Sequence, residues 1–258
     1  GRWGFMIQRV LEAAIQTLPL MALLFIPLFF GFSDLYPWAR TEVVAADPLL
    51  QQKAAYLNIP FFIARTMGYF AVWIVLGRLL VTWSLQQDRT ADDTLTLRLQ
   101  RLSGPGLVLY GLTVTFASID WMMSLEPKWY STIFGMIFMV SFGLSALALA
   151  ILATRFLESE RRLAQVISAD RWHDLGNLLL ALVMFWAYLN FSQFLLIWSE
   201  NLAEEIPWYL HRIGGGWEWV AIALMLFQFA LPFVLLLSRN TKRNSQTLAV
   251  VAGAILFM

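Results

Sequence analysis

Cysteine is absent from this chain and charge is scarce. Only 14% of its 258 residues are charged and 59% are hydrophobic, whereas a soluble domain carries about 25% charged residues. So few charges cannot cover the surface of a soluble protein of this size, which excludes a soluble enzyme. The apolar content also excludes a disordered chain. The lack of thiols excludes a disulfide scaffold, thiolate-held iron–sulfur or zinc sites and c-type haem attachment.

Histidine is nearly as rare, with two in the whole chain. His173 and His211 both lie in charged segments, so the sequence does not place two haem ligands on facing apolar helices. The chain also has no Walker A motif, no glycine-rich dinucleotide fingerprint and no HExxH motif. We therefore expect no metal site, and any electron transfer would need an organic cofactor or a partner protein.

Long apolar runs are what the sequence has in abundance. A membrane-spanning helix needs about 20 apolar residues, and six runs meet that length: residues 10–32, 60–84, 104–125, 131–154, 176–199 and 217–238. A seventh run covers residues 246–258. These runs predict an all-α integral membrane protein, with a single transmembrane helical domain of antiparallel helix bundles over residues 1–258. The short last run and the lack of an initial methionine further predict a fragment truncated at both ends.

Lysine and arginine are distributed unevenly between the connections. If all six spans cross the membrane, twelve of these residues lie on one side and four on the other. The richer side comprises the chain start and loops 85–103, 155–175 and 239–245, and the poorer side comprises loops 33–59, 126–130 and 200–216. Because cytoplasmic loops are rich in Lys and Arg, we expect the chain start and the basic loops to face the cytoplasm.

Tryptophans cluster near the span ends, where they are predicted to anchor the protein at the two membrane interfaces. Eight residues fit this pattern: Trp38, Trp83, Trp121, Trp129, Trp198, Trp208, Trp217 and Trp219.

Arg65 and Asp120 are charged residues inside predicted spans. Arg65 follows the start of the second span and Asp120 lies near the end of the third, so antiparallel topology gives them similar depths. A charge at the centre of a membrane helix costs about 2.5–3.5 kcal/mol on insertion scales, so we expect the two to pair. The pair either fixes helix register or leaves Asp120 able to take up and release a proton. Snorkelling of the side chains to the interface is the third alternative.

Other polar side chains repeat at helical spacing. One stripe of the third span has spacings of three, four and three residues: Tyr110, Thr113, Ala117 and Asp120. Such groups often form interhelical hydrogen bonds. The alternative is a polar track for protons toward the outer face, for which the candidates are Asp120, Glu126, Tyr110 and Arg65. Candidates for lining a polar cavity are Thr113 and, in the fifth span, Tyr188, Asn190, Ser192 and Gln193.

Charged residues flank the fifth span. Asp174 is expected to cap that helix at its N-terminus. Histidine is the residue type that changes charge most readily near neutral pH, so His173 with Asp174 is the candidate for proton uptake at the inner face. Beyond the other end of the span, Glu200, Glu204 and Glu205 make an acidic outer loop, which is either simply solvated or docks a periplasmic partner.

Several long strings in the sequence resemble one protein family. They are IDWMMSLEPKWYSTIFG at residues 119–135, FSDLYPWA at 32–39, VVAADPLLQQKAAYLNIPFF at 43–62 and the segment from HDLGN to WYLHR at 173–212. Together they resemble the ActF-type membrane subunit of bacterial alternative complex III, within the polysulfide-reductase-like (NrfD-like) superfamily. The resemblance covers essentially the whole chain, although members of the family are longer and have further spans.

The resemblance implies two antiparallel four-helix bundles in the full-length protein, and a multisubunit complex that oxidises menaquinol or ubiquinol. Electrons then pass to iron–sulfur clusters and haem c, which belong to periplasmic partner subunits. Quinol binding is assigned to the ActC-type paralogue, and a proton-conducting role is proposed for the ActF-type subunit. The chain is accordingly expected to bind no cofactor of its own, with a quinone or quinol site as an alternative, and to lie in the bacterial cytoplasmic membrane.

Two other functions stay open. The chain could be a scaffold of the same complex, in which the polar residues only link helices. A secondary transporter would instead need helices broken near mid-membrane, and Pro19, Pro27 and Pro232 are the candidates for such breaks. Prolines are also tolerated as ordinary kinks in membrane helices.

Overall fold

Helices make up most of the protein. The computed structural model describes residues 3–90, 92–158, 167–203 and 205–258. Over these ranges the protein is 85% helical and has no strand. Six segments are long and apolar enough to cross a membrane: Gly4–Phe30, Ile59–Thr90, Asp93–Leu125, Phe134–Phe156, Ala169–Glu200 and Trp217–Leu237. The predicted class, an all-α multi-pass membrane protein, is therefore confirmed.

The first span is interrupted at its prolines. Helix α1 (Gly4–Ile15) is followed by α2 (Leu18–Leu24), which has Pro19 in its first turn, and by a 3-10 turn (Ile26–Phe30) that contains Pro27. A proline has no N–H to donate along a helix, and its ring clashes with the turn before it, so the breaks fall at these positions. The helical segment also begins at the fourth residue rather than near the tenth.

The connection between the first two spans is folded into short helices. They are α3 (Phe32–Leu35), α4 (Thr41–Ala46) and α5 (Pro48–Lys53), with a 3-10 turn at Pro37–Ala39. They form a small core whose buried members are Phe32, Tyr36, Trp38, Leu50 and Phe62. The ring centroids of Phe32, Tyr36 and Trp38 lie 5.1, 5.4 and 5.5 Å from that of Phe62. We refer to residues 32–62 as the aromatic cap.

The second and third spans form a long antiparallel helix pair. α6 (Ile59–Thr90) and α7 (Asp93–Trp121) are both longer than a core of about 30 Å requires. The predicted loop over residues 85–103 is therefore wrong, because both helices continue through most of it. Asp92 caps α7 by accepting a hydrogen bond at 2.8 Å from the N–H two residues further on. α7 also passes through Pro105 without ending.

The remaining spans follow in order. α8 (Phe134–Phe156) and α9 (Ala169–Glu200) are continuous, and a short helix, α10 (Pro207–Ile213), comes next. The sixth span consists of α11 (Trp217–Ala223), a π-helical stretch (Leu224–Ala230) and α12 (Leu231–Leu237). Pro232 lies just after the π-helical stretch and offers no N–H to the preceding turn, which favours irregular hydrogen bonding there. The chain then forms α13 (Arg239–Arg243) and α14 (Ser245–Phe257).

Helix α9 begins about two turns earlier than its apolar run suggests. Ser168 is the N-cap, with extended backbone and a side chain that accepts from the Arg171 N–H at 3.4 Å. The prediction that Asp174 caps this helix is therefore wrong, since Asp174 lies within the helix on its exposed side. Serine before a first turn is a favoured cap, but the apolar run marks only the part of a helix that suits the membrane.

The basic connection predicted over residues 239–245 is largely helical and packs on α9. Lys242 is only 8% exposed, and its Nζ donates to Asn177 Oδ1 at 2.8 Å. Gly176 permits this approach, because a Cβ there would lie 2.6 Å from Lys242 Cγ. Arg243 forms a 2.8 Å ion pair with Asp170 near the start of α9.

The chain divides into two compact units. Residues 12–135 form one unit, and residues 1–11 together with residues 136–258 form the other. The aromatic cap, α6 and α7 belong to the first unit. The core of the second unit is aliphatic and is drawn mainly from α8, α9, α12 and α14, with members such as Leu144, Ile151, Leu175, Leu179, Val183, Leu236, Leu248 and Ile255.

The eight predicted tryptophan anchors differ in exposure, and Trp83, Trp121 and Trp208 are half-buried. Trp198, Trp217 and Trp219 are 62–69% exposed, as anchors at an interface should be. Trp38 and Trp129 are 4% and 3% exposed, so the prediction that they anchor the protein at an interface is wrong. Indole rings offer large apolar area, and here they fill protein cores instead.

Candidate functional site

An ion pair joins α6 to α7 near the aromatic cap. Arg65 Nε and one terminal nitrogen donate to the two carboxylate oxygens of Asp120, at 2.8 and 3.0 Å. The Asp120 side chain is fully buried, and that of Arg65 is 11% exposed. The predicted pairing of Arg65 with Asp120 is confirmed. Its two-pronged geometry is the strongest that arginine and a carboxylate can form.

Tyr69 completes the coordination of Asp120. It lies one helical turn after Arg65, and its hydroxyl donates to Asp120 Oδ2 at 2.6 Å. The carboxylate therefore accepts three hydrogen bonds from α6. A buried carboxylate is stable only if its charge is compensated and its oxygens are satisfied, and α6 supplies both.

Arg65 is held from its other side by two aromatic rings. Its guanidinium carbon lies 3.9 Å from the ring centroid of Tyr56 and 4.2 Å from that of Phe61. A terminal nitrogen also donates to the Tyr56 carbonyl at 3.0 Å. Cation–π contact with hydrogen bonding fixes the guanidinium plane, so that it faces Asp120. We call Tyr56, Arg65, Tyr69 and Asp120 the charge cluster.

Burial keeps the phenols near the charge cluster protonated. Burial is the main cause that raises the pKa of Tyr56 to about 12, and the charge of Asp120 adds to it. The same two causes, in the same order, raise the pKa of Tyr36 to about 12. Both phenols are therefore protonated at neutral pH. The Tyr36 hydroxyl donates to the Trp121 carbonyl, and the buried Tyr56 hydroxyl has no hydrogen-bond partner among the described residues.

The aromatic cap is tied to the end of α7 by polar contacts. The Tyr36 hydroxyl donates to the Trp121 carbonyl at 3.1 Å, and Lys53 Nζ donates to the Pro127 carbonyl at 2.6 Å. Lys128 forms a 2.8 Å ion pair with Asp47, and this hydrogen bond is the main cause that holds the pKa of Asp47 below its usual range. Partial burial lowers the pKa of Lys53. The aromatic cap is therefore packed and hydrogen-bonded against the end of α7 and the segment that follows it.

On its membrane side the charge cluster rests on an aromatic layer. Trp121 stacks on Phe70 with 5.6 Å between ring centroids, and its indole N–H donates to Thr66 Oγ1 at 3.1 Å. The Trp73 indole N–H donates to Thr113 Oγ1 at 2.8 Å. Thr113 thus links α6 to α7, which is the interhelical role that such hydroxyls often have.

The predicted polar stripe on α7 is buried only at one end. Asp120 is completely buried, whereas Tyr110 on the same stripe is 38% exposed. Thr113 is half-buried, and its hydroxyl accepts a hydrogen bond from Trp73. Glu126 lies beyond the 3-10 turn Met123–Leu125 and is half-buried. Of the predicted path, the structure brings Asp120 and Arg65 into contact.

The polar residues predicted in the fifth span belong to the other unit. Tyr188 is 65% exposed, whereas Gln193 is 9% exposed. Asn190 donates to the Trp186 carbonyl of its own helix at 2.9 Å. Ser192 is half-buried. That these residues line a polar cavity together with Thr113 stays a prediction.

The predicted inner site also lies on α9. His173 is half-buried, and its Nδ1 lies 3.3 Å from the amide nitrogen of Asn177. Asn177 in turn accepts from Lys242 at 2.8 Å. His173 is thus connected to a buried lysine, a link that its position in the sequence did not reveal.

The predicted partner-docking glutamates lie around the end of α9. Glu200 is exposed on the last turn of the helix and Glu205 is half-buried in the turn that follows. Glu204 lies outside the described residues. Docking of a partner at these positions stays a prediction.

Sequence reasoning missed Tyr69, Tyr56 and Phe61. Tyr69 and Phe61 could have been found, because each lies four residues from Arg65 and so on the same face of α6. Tyr56 could not, because it precedes α6 and meets Arg65 only when the chain bends into the start of that helix. No group of three His, Asp or Glu side chains that could hold a metal occurs in the described part of the chain.

Comparison with models of known protein families finds no match, and comparison with curated protein sequences finds none either. The function is therefore inferred from the residues and their geometry.

Proposed function

We propose that this chain is a multi-pass subunit of a quinol-oxidising electron-transfer complex of the alternative complex III type, in which the charge cluster forms the outer part of a proton path. The observation that carries the proposal is Asp120, a fully buried carboxylate within a membrane span that accepts a 2.6 Å hydrogen bond from Tyr69. The oxidation of a quinol releases two protons, and side chains that exchange only protons suit their disposal.

The chemistry of the cluster suits transient protonation. A proton that reaches Asp120 neutralises it and leaves the guanidinium of Arg65 without its counter-charge. The positive charge disfavours that state, so the proton is passed on. Tyr69 can relay it, because its hydroxyl donates directly to Asp120 Oδ2 at 2.6 Å.

The remaining features of the proposal come from the sequence. The excess of Lys and Arg on one set of connections supports a cytoplasmic chain start. The resemblance supports a bacterial cytoplasmic membrane, an ActC-type paralogue as the quinol-binding neighbour, and periplasmic partners that carry haem c and iron–sulfur clusters. In this arrangement the chain itself holds no redox cofactor.

A scaffold role in the same complex is the second candidate, and one observation favours it. Both oxygens of Asp120 are already engaged by Arg65 and Tyr69, and Thr113 is engaged by Trp73. Side chains with such complete sets of partners hold helices in register. The two candidates differ in whether protonation of Asp120 is needed for turnover.

The deciding experiment measures turnover-linked proton release by the intact complex in vesicles, with Asp120→Asn compared with the unaltered protein. Assembly is checked first by the retention of partner subunits and haem. Asp47→Asn is the matched control, because it makes the same carboxylate-to-amide change in an ion pair outside the spans. We expect Asp120→Asn to assemble and to lose at least about 90% of proton release, as general acid–base residues contribute about 10²-fold or more.

The double substitution Arg65→Gln/Asp120→Asn separates the two candidates. It removes both buried charges together, so it avoids the penalty of about 3–5 kcal/mol for leaving one buried charge unpaired. If the double variant assembles and turns over normally, the pair is structural and the chain is a scaffold. If it assembles but releases no protons, the charge cluster belongs to the proton path.

A further inference from the structure

A second arginine lies in α6, and it is bound quite differently from Arg65. Arg78 is exposed, and it has no hydrogen bond or ion pair with any residue that the structure describes. Arg65 on the same helix is fully compensated by Asp120. Near the end of a span an arginine can reach the membrane interface, so an Arg78 with no partner in the described chain is available to a ligand there.

Arg78 borders a groove between the break in the first span and α6. The groove has a volume of about 310 Å³ and lies within the unit of residues 12–135. Its polar lining is Gln16, Arg78 and Thr82, and its apolar lining includes Ile15, Pro19 and Val81. This is about twice the ~150 Å³ of a cavity that binds a benzene molecule, which is room for a phosphate group with part of a lipid chain.

The polar side chains of this groove are all available for a ligand. Like Arg78, the side chains of Gln16 and Thr82 form no hydrogen bond within the described residues. Arg78 and Thr82 are four residues apart on α6 and so share one face. A guanidinium, an amide and a hydroxyl around one opening supply several hydrogen-bond donors and a single positive charge, which is complementary to an oxyanion.

The groove lies beside the break in the first span. The chain leaves α1 after Ile15 and re-enters a helix at Leu18, and Gln16 between the two helices lines the groove. At Gly77 the two segments touch so closely that a Cβ would lie 2.4 Å from Ile15 Cγ2. One turn further along the first span, Pro19 also lines the groove. The groove is therefore a feature of the packed helices.

The depth of Arg78 matches that of lipid phosphates. By the ~1.5 Å rise per residue, Arg78 lies about 28 Å along α6 from Ile59. A helix that enters a hydrocarbon core of about 30 Å near Ile59 reaches the opposite boundary near Arg78, where the phosphates of the lipid headgroups begin. Glu12, on the first span, is already engaged by Ser84 at 2.5 Å.

We propose that this groove binds the phosphate of an anionic phospholipid, with Arg78 as the charged ligand and Gln16 and Thr82 as its hydrogen-bonding neighbours. Acyl chains would then lie along the apolar lining and hold the two sides of the break together. This site lies toward the other end of α6 from the charge cluster, and it does not depend on the function proposed for that cluster.

Native mass spectrometry of the full chain in detergent tests the site. The delipidated protein is titrated with phosphatidylglycerol, with phosphatidylcholine and with inorganic phosphate, and Arg78→Gln is compared with the unaltered chain. Arg89→Gln is the matched control, since Arg89 is an exposed arginine eleven residues further on and so on nearly the same face of α6. Arg78→Lys keeps the positive charge but cannot form the two parallel hydrogen bonds that a guanidinium donates to a phosphate.

We expect one phosphatidylglycerol to be retained preferentially, and Arg78→Gln to weaken its binding about five-fold or more, as expected for one basic residue near an anionic lipid surface. The affinity of Arg78→Lys for phosphatidylglycerol should lie between that of the unaltered chain and that of Arg78→Gln. Arg89→Gln should bind it as tightly as the unaltered chain. Equal retention by Arg78→Gln and the unaltered chain would overturn the proposal. Equal binding of phosphatidylcholine, or full replacement by inorganic phosphate, would overturn the assignment to an anionic lipid.

Discussion

The charge of Asp120 is compensated by two side chains of one neighbouring helix. Arg65 and Tyr69 are one turn apart on α6, and together they donate three hydrogen bonds to the carboxylate. The aromatic rings of Tyr56 and Phe61 hold the guanidinium in place. Each of these residues depends on the others for its hydrogen bonds or its position. A single substitution here should therefore reduce stability more than the same substitution at an exposed site.

Tyr69→Phe should lower the free energy of unfolding by about 1.5–3 kcal/mol, because it removes a hydrogen bond to a buried charge. The measurement is denaturation of the purified chain followed by tryptophan fluorescence, since Trp121 lies 6.0 Å from the Tyr69 ring. Tyr188→Phe makes the same change at a side chain that is 65% exposed and should leave stability unchanged. An equal loss in both variants would contradict the structural importance of the Tyr69 hydroxyl.

At the scale of elements, the first span meets α6 at a glycine. A Cβ at Gly77 would lie 2.4 Å from Ile15 Cγ2, so the close contact depends on the missing side chain. Ile15 ends α1, and the break follows directly after it. The break in the first span and the groove beside Arg78 therefore both lie next to the contact between Ile15 and Gly77.

Gly77→Ala should destabilise the protein by about 1–3 kcal/mol through overpacking, although alanine is the better helix former. Gly68→Ala on the same helix is the control, because a Cβ there meets no atom within 4 Å, and this variant should be neutral or slightly stabilising. The test is thermal unfolding of each variant in the same detergent.

The double variant Gly77→Ala/Ile15→Ala should recover part of the loss, because it removes the methyl group that the new Cβ would meet. Additive losses in the double variant would mean that the two residues do not interact, and the proposed contact would be wrong.

At the scale of the whole molecule, the distribution of charge predicts how the chain lies in the membrane. The basic segments include the adjoining ends of α6 and α7, which hold Arg89, Arg98 and Arg101, and the aromatic cap belongs to the side with fewer Lys and Arg. The chain has no cysteine, so a thiol-reactive reagent labels only a cysteine that is introduced by substitution. Orientation can therefore be measured directly on single-cysteine variants.

Glu42→Cys in the aromatic cap and Asp93→Cys at the start of α7 report on opposite sides, and both positions are exposed. A membrane-impermeant maleimide added to intact cells should label Glu42→Cys, and should label Asp93→Cys only after the membrane is opened. The reverse pattern would contradict the orientation inferred from the positive-inside rule. The unaltered chain should not be labelled under either condition.

Much of the fold follows from apolar runs, because any segment of about 20 apolar residues can be satisfied only as a buried or membrane-spanning helix. The ends of helices are different. α6 and α7 continue beyond their apolar runs through residues such as Arg89 and Arg98, and Ser168 rather than Asp174 caps α9. Polar residues at these ends are compatible with loop or helix, so hydropathy alone does not decide between them.

The sequence by itself determined the class of the protein, the number of apolar runs and the pairing of Arg65 with Asp120. These follow from local composition and from the cost of an unpaired charge in an apolar medium. Tertiary structure decided the rest of the site: Tyr56 on Arg65, the aromatic cap packed by its own rings, and Arg78 beside a groove with no partner among the described residues. Such contacts join residues whose distance depends on how helices cross and bend, and no spacing along the chain encodes that distance.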